Sequence, residues 1–385
     1  MSRPLRYLLV AYLIALALAR VTIAAPERCD APSPDRIREA AADAAQWAAA
    51  NQGGDGTFVY EQDRDGRSLG GYNEVRHAGV TTALYQAAAA LDDGALLDHG
   101  DRALDWMRAH LGGRDDWQTL TVSGWASLGA GALMLTALEE RREIDGSDQR
   151  DGLMRSIGRF LVAMQRDDGG FHVGADVATG DPDTDGTSPY YPGEALWALA
   201  RLDALFPDDG FGDAARRAAH FIAGKRDDVE DVRFPPLNDH WASYGFAEMG
   251  KRERLDDDVV EYARPVSFRF DLLIRSEAQR DAGALYALTH GPARRAAALG
   301  TWVEGQAALG RLAGEDDRLS GLEEEITDRA ACGAAVLVDR QNDDGPTSTH
   351  GAWFVGGVTR MDDQQHAISG LLAVADLLEA RGNGR

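Results

Sequence analysis

A chain of 385 residues with 44% hydrophobic content can bury a large core, and a formal net charge of −23 argues against nucleic acid and anionic membrane surfaces as partners. The chain has two cysteines, with no Cys-x-x-Cys and no Cys/His cluster, so no structural zinc site is expected.

Residues 1–25 read as an export signal. Arg3 and Arg6 form a basic start, Tyr7 to Ala19 a short apolar run, and Thr22-Ile23-Ala24-Ala25 offers small residues for cleavage. An uncleaved anchor is the competing reading, disfavoured by the short run and by Arg20. The expectation is a periplasmic or secreted protein with no stable membrane insertion once the signal is removed. In an oxidising compartment Cys29 and Cys332 either pair, tying the N-terminus to a late helix, or stay as separate thiols.

Beyond the leader, residues 26–385 read as a single all-α domain. Alanine and leucine recur at helical spacing, and strand-like alternation is brief, as at Thr57-Phe58-Val59-Tyr60. Twelve helices are expected near 34–52, 74–92, 95–112, 125–142, 149–166, 192–206, 211–224, 239–252, 256–278, 293–313, 318–341 and 362–381. Pro265 interrupts the ninth. Three helices end on a related turn: Gln52-Gly53-Gly54-Asp55-Gly56-Thr57-Phe58, Gln165-Arg166-Asp167-Asp168-Gly169-Gly170-Phe171 and Gln341-Asn342-Asp343-Asp344-Gly345. Odd-numbered helices end in long loops and even-numbered ones mostly in short connections. This places the long loops at one end of six antiparallel pairs, which close into a ring with one helix of each pair inside.

The turn at 165–171 is similar to the repeat turn of the squalene-cyclase and protein-prenyltransferase toroids. The helix count resembles the wider (α/α)6 toroid superfamily of six-hairpin glycosidases, polysaccharide lyases and sugar epimerases. That resemblance implies an (α/α)6 toroid with inner and outer rings. The terpenoid branch is not supported by motif: there is no DxDD, and Cys332 lacks an Asp two residues before it.

If the ring forms, the starts of the even-numbered helices converge on one mouth. They offer Tyr72, Asn73, Glu74, Arg76 and His77; Gln118, Ser123 and Trp125; Tyr190, Tyr191 and Glu194; Asp239, His240, Trp241 and Tyr244; Trp302, Glu304 and Gln306; and Asp362, Asp363, Gln365 and His366. Aromatic rings stack on pyranose faces, and carboxylates and imidazoles supply acid and base. The candidate catalytic residues are Glu74, His77, Glu194, Asp239, His240, Asp362 and His366. The candidate substrate-binding residues are Tyr72, Asn73, Arg76, Trp125, Tyr190, Tyr191, Trp241, Trp302 and Glu304.

Each has a structural alternative. Asn73 can be an N-cap, and Thr301 with Glu304 fits a capping box. Glu194, Asp362 and Asp363 suit the positive end of a helix dipole. Glu74 and Arg76 can form an ion pair, and His77 and His366 can be buried neutral. If the mouth is a site, His77 and His366 meet there and Glu194 lies near them.

The implied function is an exported carbohydrate-active enzyme, a glycoside hydrolase or a uronate lyase or epimerase, acting on a saccharide and with Arg76 suited to an acidic one. A non-catalytic saccharide-binding or scaffold protein and a terpenoid-type pocket remain as alternatives. No cofactor motif is present. One ion is suggested by Asp181-Pro182-Asp183-Thr184-Asp185-Gly186, the first half of a calcium loop whose twelfth position is Pro192 instead of an acid.

Overall fold

The computed structural model describes residues 3–30, 32–114, 116–234 and 236–383. In chain order the helices are α1 (Arg3–Thr22), α2 (Pro34–Ala50), α3 (Glu74–Leu91), α4 (Gly94–Ala109), α5 (Leu128–Asp145), α6 (Asp151–Ala163), α7 (Tyr191–Leu205), α8 (Phe211–Gly224), α9 (Arg226–Val229), α10 (His240–Gly250), α11 (Asp257–Arg280), α12 (Ala284–His290), α13 (Ala296–Glu315), α14 (Glu323–Arg340) and α15 (Met361–Asn383).

Six of them form a closed inner ring: α3 packs on α5, α5 on α7, α7 on α10, α10 on α13, α13 on α15, and α15 back on α3. Helices α2, α4, α6, α8, α11 and α14 lie outside. The two rings differ in pattern. In α3 every residue from His77 to Tyr85 is buried, as a helix packed on all sides requires. In α4 the buried residues are Leu96, Gly100, Ala103, Leu104 and Met107, a stripe at three- and four-residue spacing. The long connections all precede inner helices, so the inner N-termini share one end of the ring.

That end carries small sheets. Strand β1 (Glu61–Asp63) pairs antiparallel with β6 (Val358–Arg360), tying the loop before α3 to the loop before α15. Strands β2 (Leu111–Arg114), β3 (Trp117–Val122), β4 (Trp125–Ser127) and β5 (Gly174–Asp176) form an antiparallel sheet in that order. Two expected helix ends are corrected here: residues 111–112 and 125–127 are strand. Gly113 faces the backbone of Trp117 so closely that a Cβ would not fit. Pro265 does not break α11, which runs through it.

The repeated turn has a mechanical role. Gln52 Nε2 donates to the Gly56 carbonyl (3.3 Å) and to the His99 carbonyl of α4 (2.9 Å). Gln165 Nε2 donates in the same way to Gly169 (3.2 Å) and to Ala214 of α8 (2.9 Å). Gly56 and Gly169 have φ of 90° and 95° and lie against the carbonyls of Arg102 and Arg217. Each turn therefore staples the end of one outer helix to the next. The third staple uses Gln341, which donates to Ala40 of α2 (2.7 Å) and to Gly351 (2.9 Å). The glycine against α2 there is Gly351, not the Gly345 of the sequence pattern.

Cys29 and Cys332 are disulfide-bonded, joining the segment before α2 to α14. Helix α1 lies apart from the ring with none of its length buried, and it is long and apolar enough to cross a membrane.

Candidate functional site

Three consecutive inner helices, α10, α13 and α15, bring one polar cluster together. His240 opens α10, Glu304 lies in the third turn of α13, and His366 lies in the second turn of α15. His366 Nδ1 and Glu304 Oε2 are 2.8 Å apart, and His240 Nε2 is 3.8 Å from the same oxygen. The other oxygen, Oε1, accepts from the Tyr244 hydroxyl at 3.2 Å. The two imidazoles meet edge to face with centroids 5.1 Å apart. His240 and Glu304 are fully buried, while the His366 side chain keeps 12% of its surface exposed.

The environment pushes these groups in different directions. Burial holds His240 well below the usual histidine range, and nearby His366 adds to the effect. Burial would also lower His366, but the Glu304 carboxylate outweighs it and raises the imidazole. Burial raises Glu304, against the pull of His366 and Tyr244. Neither ring nitrogen of His240 has a hydrogen-bond partner. An unpartnered polar group this deep is costly unless something else binds it. The donor atoms of His240, Glu304 and His366 lie within 4.8 Å of one another, so they could also hold a divalent metal. A metal would have to displace the proton between His366 and Glu304.

Aromatic rings back the cluster. Trp241 packs on His240 (4.3 Å between centroids) and on His366 (5.7 Å), and Trp197 stacks on Tyr244 (4.7 Å). Small residues admit the polar side chains. A Cβ on Gly300 would lie 2.7 Å from that of His366, and one on Gly193 would lie 2.6 Å from Asp239 Oδ1. A cavity of about 530 Å³ lies elsewhere, between the start of α13, the end of α14 and residues 353–355.

The arrangement of helices is shared with solved structures at low sequence identity. The unsaturated glucuronyl hydrolase specific for heparin is 12% identical with a TM-score of 0.60, covering 90% of this chain and 98% of its own. Cellobiose 2-epimerase from Spirochaeta thermophila is 12% identical with a TM-score of 0.61, covering 90% and 98%. D-mannose isomerase is 12% identical with a TM-score of 0.60, covering 91% and 100%. This is the (α/α)6 toroid fold. No protein-family model matches the chain, and no curated protein matches its sequence.

Other sequence candidates lie elsewhere. His77 does not meet His366. Its Nε2 is 3.0 Å from the Ala103 carbonyl of α4, its Nδ1 is 2.6 Å from the Tyr72 hydroxyl, and Phe58 and Trp106 pack against its ring. Burial lowers it to about 4. Both nitrogens are satisfied within the wall between the rings, which corrects the expected meeting and marks a core histidine. Asn73 caps α3, accepting from the Arg76 amide at 2.9 Å. Arg76 pairs with Asp362 (3.1 Å) and with the Tyr60 hydroxyl, so the ion pair expected with Glu74 is not formed. Asp362 is also held by Arg360 at 3.2 Å. Asp363 accepts from Arg295 and from the Ala297 and Arg360 amides. Gln365 packs against Gly79, and Gln306 accepts from Ser267.

Asp239 caps α10 through the Ala242 amide (2.9 Å) and is paired with buried Arg226, which also donates to Tyr262. That removes it as a free acid or base. Glu194 is different. It is buried, its Oε2 has no partner, and burial with nearby Asp239 raises it to about 8. Tyr191 and Glu194 both crowd Gly129, whereas Tyr190 is exposed. Trp125 lies in a strand, so it does not open a helix, and Trp302 is buried in α13. Glu74 stands in the first turn of α3 without a recorded hydrogen bond, half-buried. The capping box at Thr301 and Glu304 is overturned because α13 begins at Ala296, five residues earlier than Thr301. The calcium set Asp181, Asp183 and Asp185 is not gathered either. Asp183 Oδ1 accepts from the amides of Asp185 and Gly186 (both 2.9 Å), and among the described residues no grouping of three metal-binding side chains forms there.

Sequence reading missed the weight of Glu304, the residue to which both histidines turn. It also missed Arg226, the partner of Asp239, and Trp197. Glu304 carried one signal: it is an acid inside an otherwise apolar helical run, Trp302-Val303-Glu304-Gly305-Gln306-Ala307-Ala308.

Proposed function

We propose that the protein is an exported carbohydrate-active enzyme that shifts a proton next to the carbonyl of an opened reducing sugar, as an epimerase or isomerase does. One observation carries the reading: two imidazoles approach one buried carboxylate oxygen, and their environments favour opposite charge states. A neutral base beside a cationic acid is what enolisation needs. His240, neutral, takes the proton from C2. His366, held protonated by Glu304, gives its proton to the carbonyl oxygen through Nε2. The product is a neutral enediol. When the enediol turns its opposite face to protonated His240, the proton returns to C2 as His366 takes back the proton from the C1 oxygen, giving the epimer; return to C1, with the C2 hydroxyl proton passing to His366, gives the isomer. Glu304 stays ionised throughout and fixes the His366 ring, while Tyr244 fixes Glu304.

The sugar class draws support from Trp241 beside both histidines and from the cellobiose 2-epimerase and D-mannose isomerase that share the fold. A neutral sugar fits better than an acidic one, because Arg76 is engaged by Asp362 and Tyr60. A terpenoid pocket would be aromatic and dry, and a pure binder would lack paired ionisable groups. Export, to the periplasm or beyond, is supported by the basic start and apolar run of α1.

A second reading, glycoside hydrolysis, is favoured by Glu194 alone, whose raised value suits a general acid. One experiment separates the two. Reducing mono- and disaccharides are incubated with the protein in D2O and followed by NMR. Deuterium at C2 with a new epimer, or at C1 with a new ketose, is the expected result. Release of a shorter sugar without deuterium at C2 supports the hydrolase, and no change in any sugar ends both readings.

A further inference from the structure

Helices α10, α13 and α15 aim two imidazoles and a carboxylate at one small volume. One donor atom from each of His240, Glu304 and His366 lies within 4.8 Å of the other two. The shortest approaches are 2.8 Å, between His366 Nδ1 and Glu304 Oε2, and 3.8 Å, between His240 Nε2 and the same oxygen. Ligands bound about 2.0–2.1 Å from a tetrahedral zinc ion stand roughly 3.3 Å apart. The two contacts bracket that spacing, so small side-chain rotations bring all three donors onto one ion.

The second observation is the state of His240. Its side chain is 2% exposed, and neither ring nitrogen has a hydrogen-bond partner among the described residues. The rings of Trp241 and His366 pack against it instead. A buried imidazole left unpaired is costly, and a neutral one with a free lone pair is a ready metal ligand. A metal ion needs no cavity here, because it takes the place of a proton.

The surroundings fit the same purpose. Glu304 Oε1 accepts from the Tyr244 hydroxyl at 3.2 Å, which leaves Oε2 as a single ligand atom and orients the carboxylate from outside. The His366 side chain keeps 12% of its surface exposed, so solvent reaches the cluster on that side and supplies a fourth ligand. The donor set also selects the ion. Two imidazoles and one carboxylate suit zinc, whereas calcium and magnesium want about six or more oxygens.

We propose that His240, Glu304 and His366 bind Zn2+, and that occupancy switches the site off. The proton between His366 and Glu304 leaves to solvent as the ion enters. The lone pair of His240 is then engaged by the metal and cannot take a proton from C2. The metal-free chain is the active form. Inhibition rests on the proton shift proposed above, whereas metal binding does not.

The test is a titration of the full chain, freed of metal by a chelator, with Co2+ and then Zn2+. One Co2+ per chain should give the intense visible absorption of a four-coordinate cobalt site. Zn2+ should bleach it by displacement, and about one proton per ion should be released into weakly buffered solution. His240→Phe, with its fold checked by circular dichroism, should weaken cobalt binding by about a hundredfold or more. Tyr244→Phe removes only the outer hydrogen bond to Glu304 and should weaken it about 10–100-fold. His220→Ala is the surface control: His220 stands exposed between Asp256 (3.0 Å) and Asp258 (2.8 Å), and its loss should leave the affinity unchanged. Absence of the absorption, an affinity untouched by His240→Phe, or an affinity lost in His220→Ala overturns the site. Deuterium exchange into the sugar should fall in step with zinc occupancy and return with chelator. Exchange that persists at full occupancy overturns the switch. Absence of exchange in the metal-free chain tells against the proton-shift reading, while the cobalt spectrum still decides the metal site.

Discussion

At the scale of single residues, three histidines on inner helices have three environments, and replacing each should separate structure from chemistry. His240 is buried with both nitrogens unpartnered, so His240→Phe removes an uncompensated polar group. The expected outcome is a melting temperature unchanged or higher with turnover reduced by two to four orders of magnitude, roughly the contribution of an acid or base. His366→Phe leaves Glu304 buried without its imidazole, so turnover and stability fall together. His77→Ala unsatisfies the Ala103 carbonyl and the Tyr72 hydroxyl and should cost about 1–3 kcal/mol. Its remaining folded fraction should keep its turnover number. Denaturant melts beside steady-state kinetics decide all three.

The pH profile follows from the same pair. His240 must be neutral, so activity rises through a value below the usual 6.5; His366 must be charged, so activity falls through a value above it. The expected kcat/KM profile is flat across pH 6.5, and a midpoint there would contradict the assignment. Glu194 gives a separate signal. Its folded value of about 8 exceeds the ordinary 4.5, so the unfolded chain loses this proton first as pH rises. Stability is lost between those values. Glu194→Gln should therefore gain in melting temperature relative to the parent from pH 5 to pH 8, and under the epimerase reading it keeps activity.

At the scale of elements, the glycine at position 300 sets how closely α13 and α15 approach. Gly300→Ala places a methyl group 2.6–2.7 Å from the His366 backbone and Cβ, so α15 must move. Overpacking of this kind costs about 1–3 kcal/mol, and the shift lengthens the His366–Glu304 contact. A fall in kcat larger than the loss of stability, measured on the same preparation, is the expected result. A neutral substitution would mean that the ring absorbs the methyl group elsewhere. The helices themselves were legible because alanine and leucine keep a 3.6-residue period, and the inner and outer positions followed from alternating loop lengths. The site was legible only in part, for a physical reason. Inner helices are buried on every side, so their pattern gives no face, and nothing in the residues around His77 tells that it turns to the wall while His366 turns to Glu304. Glu304 was hidden by Thr301, which imitates a cap, while the true start at Ala296 carries no capping residue. The strands at Gly112 and Trp125 were absorbed into neighbouring helical patterns because they are short.

At the scale of the molecule, the disulfide closes a loop of 303 residues. In the chain-entropy account such a link contributes on the order of 5 kcal/mol. The Cys29→Ser/Cys332→Ser variant should melt well below the parent, and a reductant should lower the parent to the same value without affecting the variant. The ring itself bears on when the chain can fold. Helix α2, the first ring helix to be made, packs against α15, the last. The same final helix separates α13 from α3. Until residues 361–383 arrive, both flanks of the gap face solvent. Synthesis from the N-terminus thus delivers a chain whose earliest apolar surface waits longest for its partner. Loss to proteases or aggregation during that wait is governed by the speed of delivery and not by the stability of the finished ring.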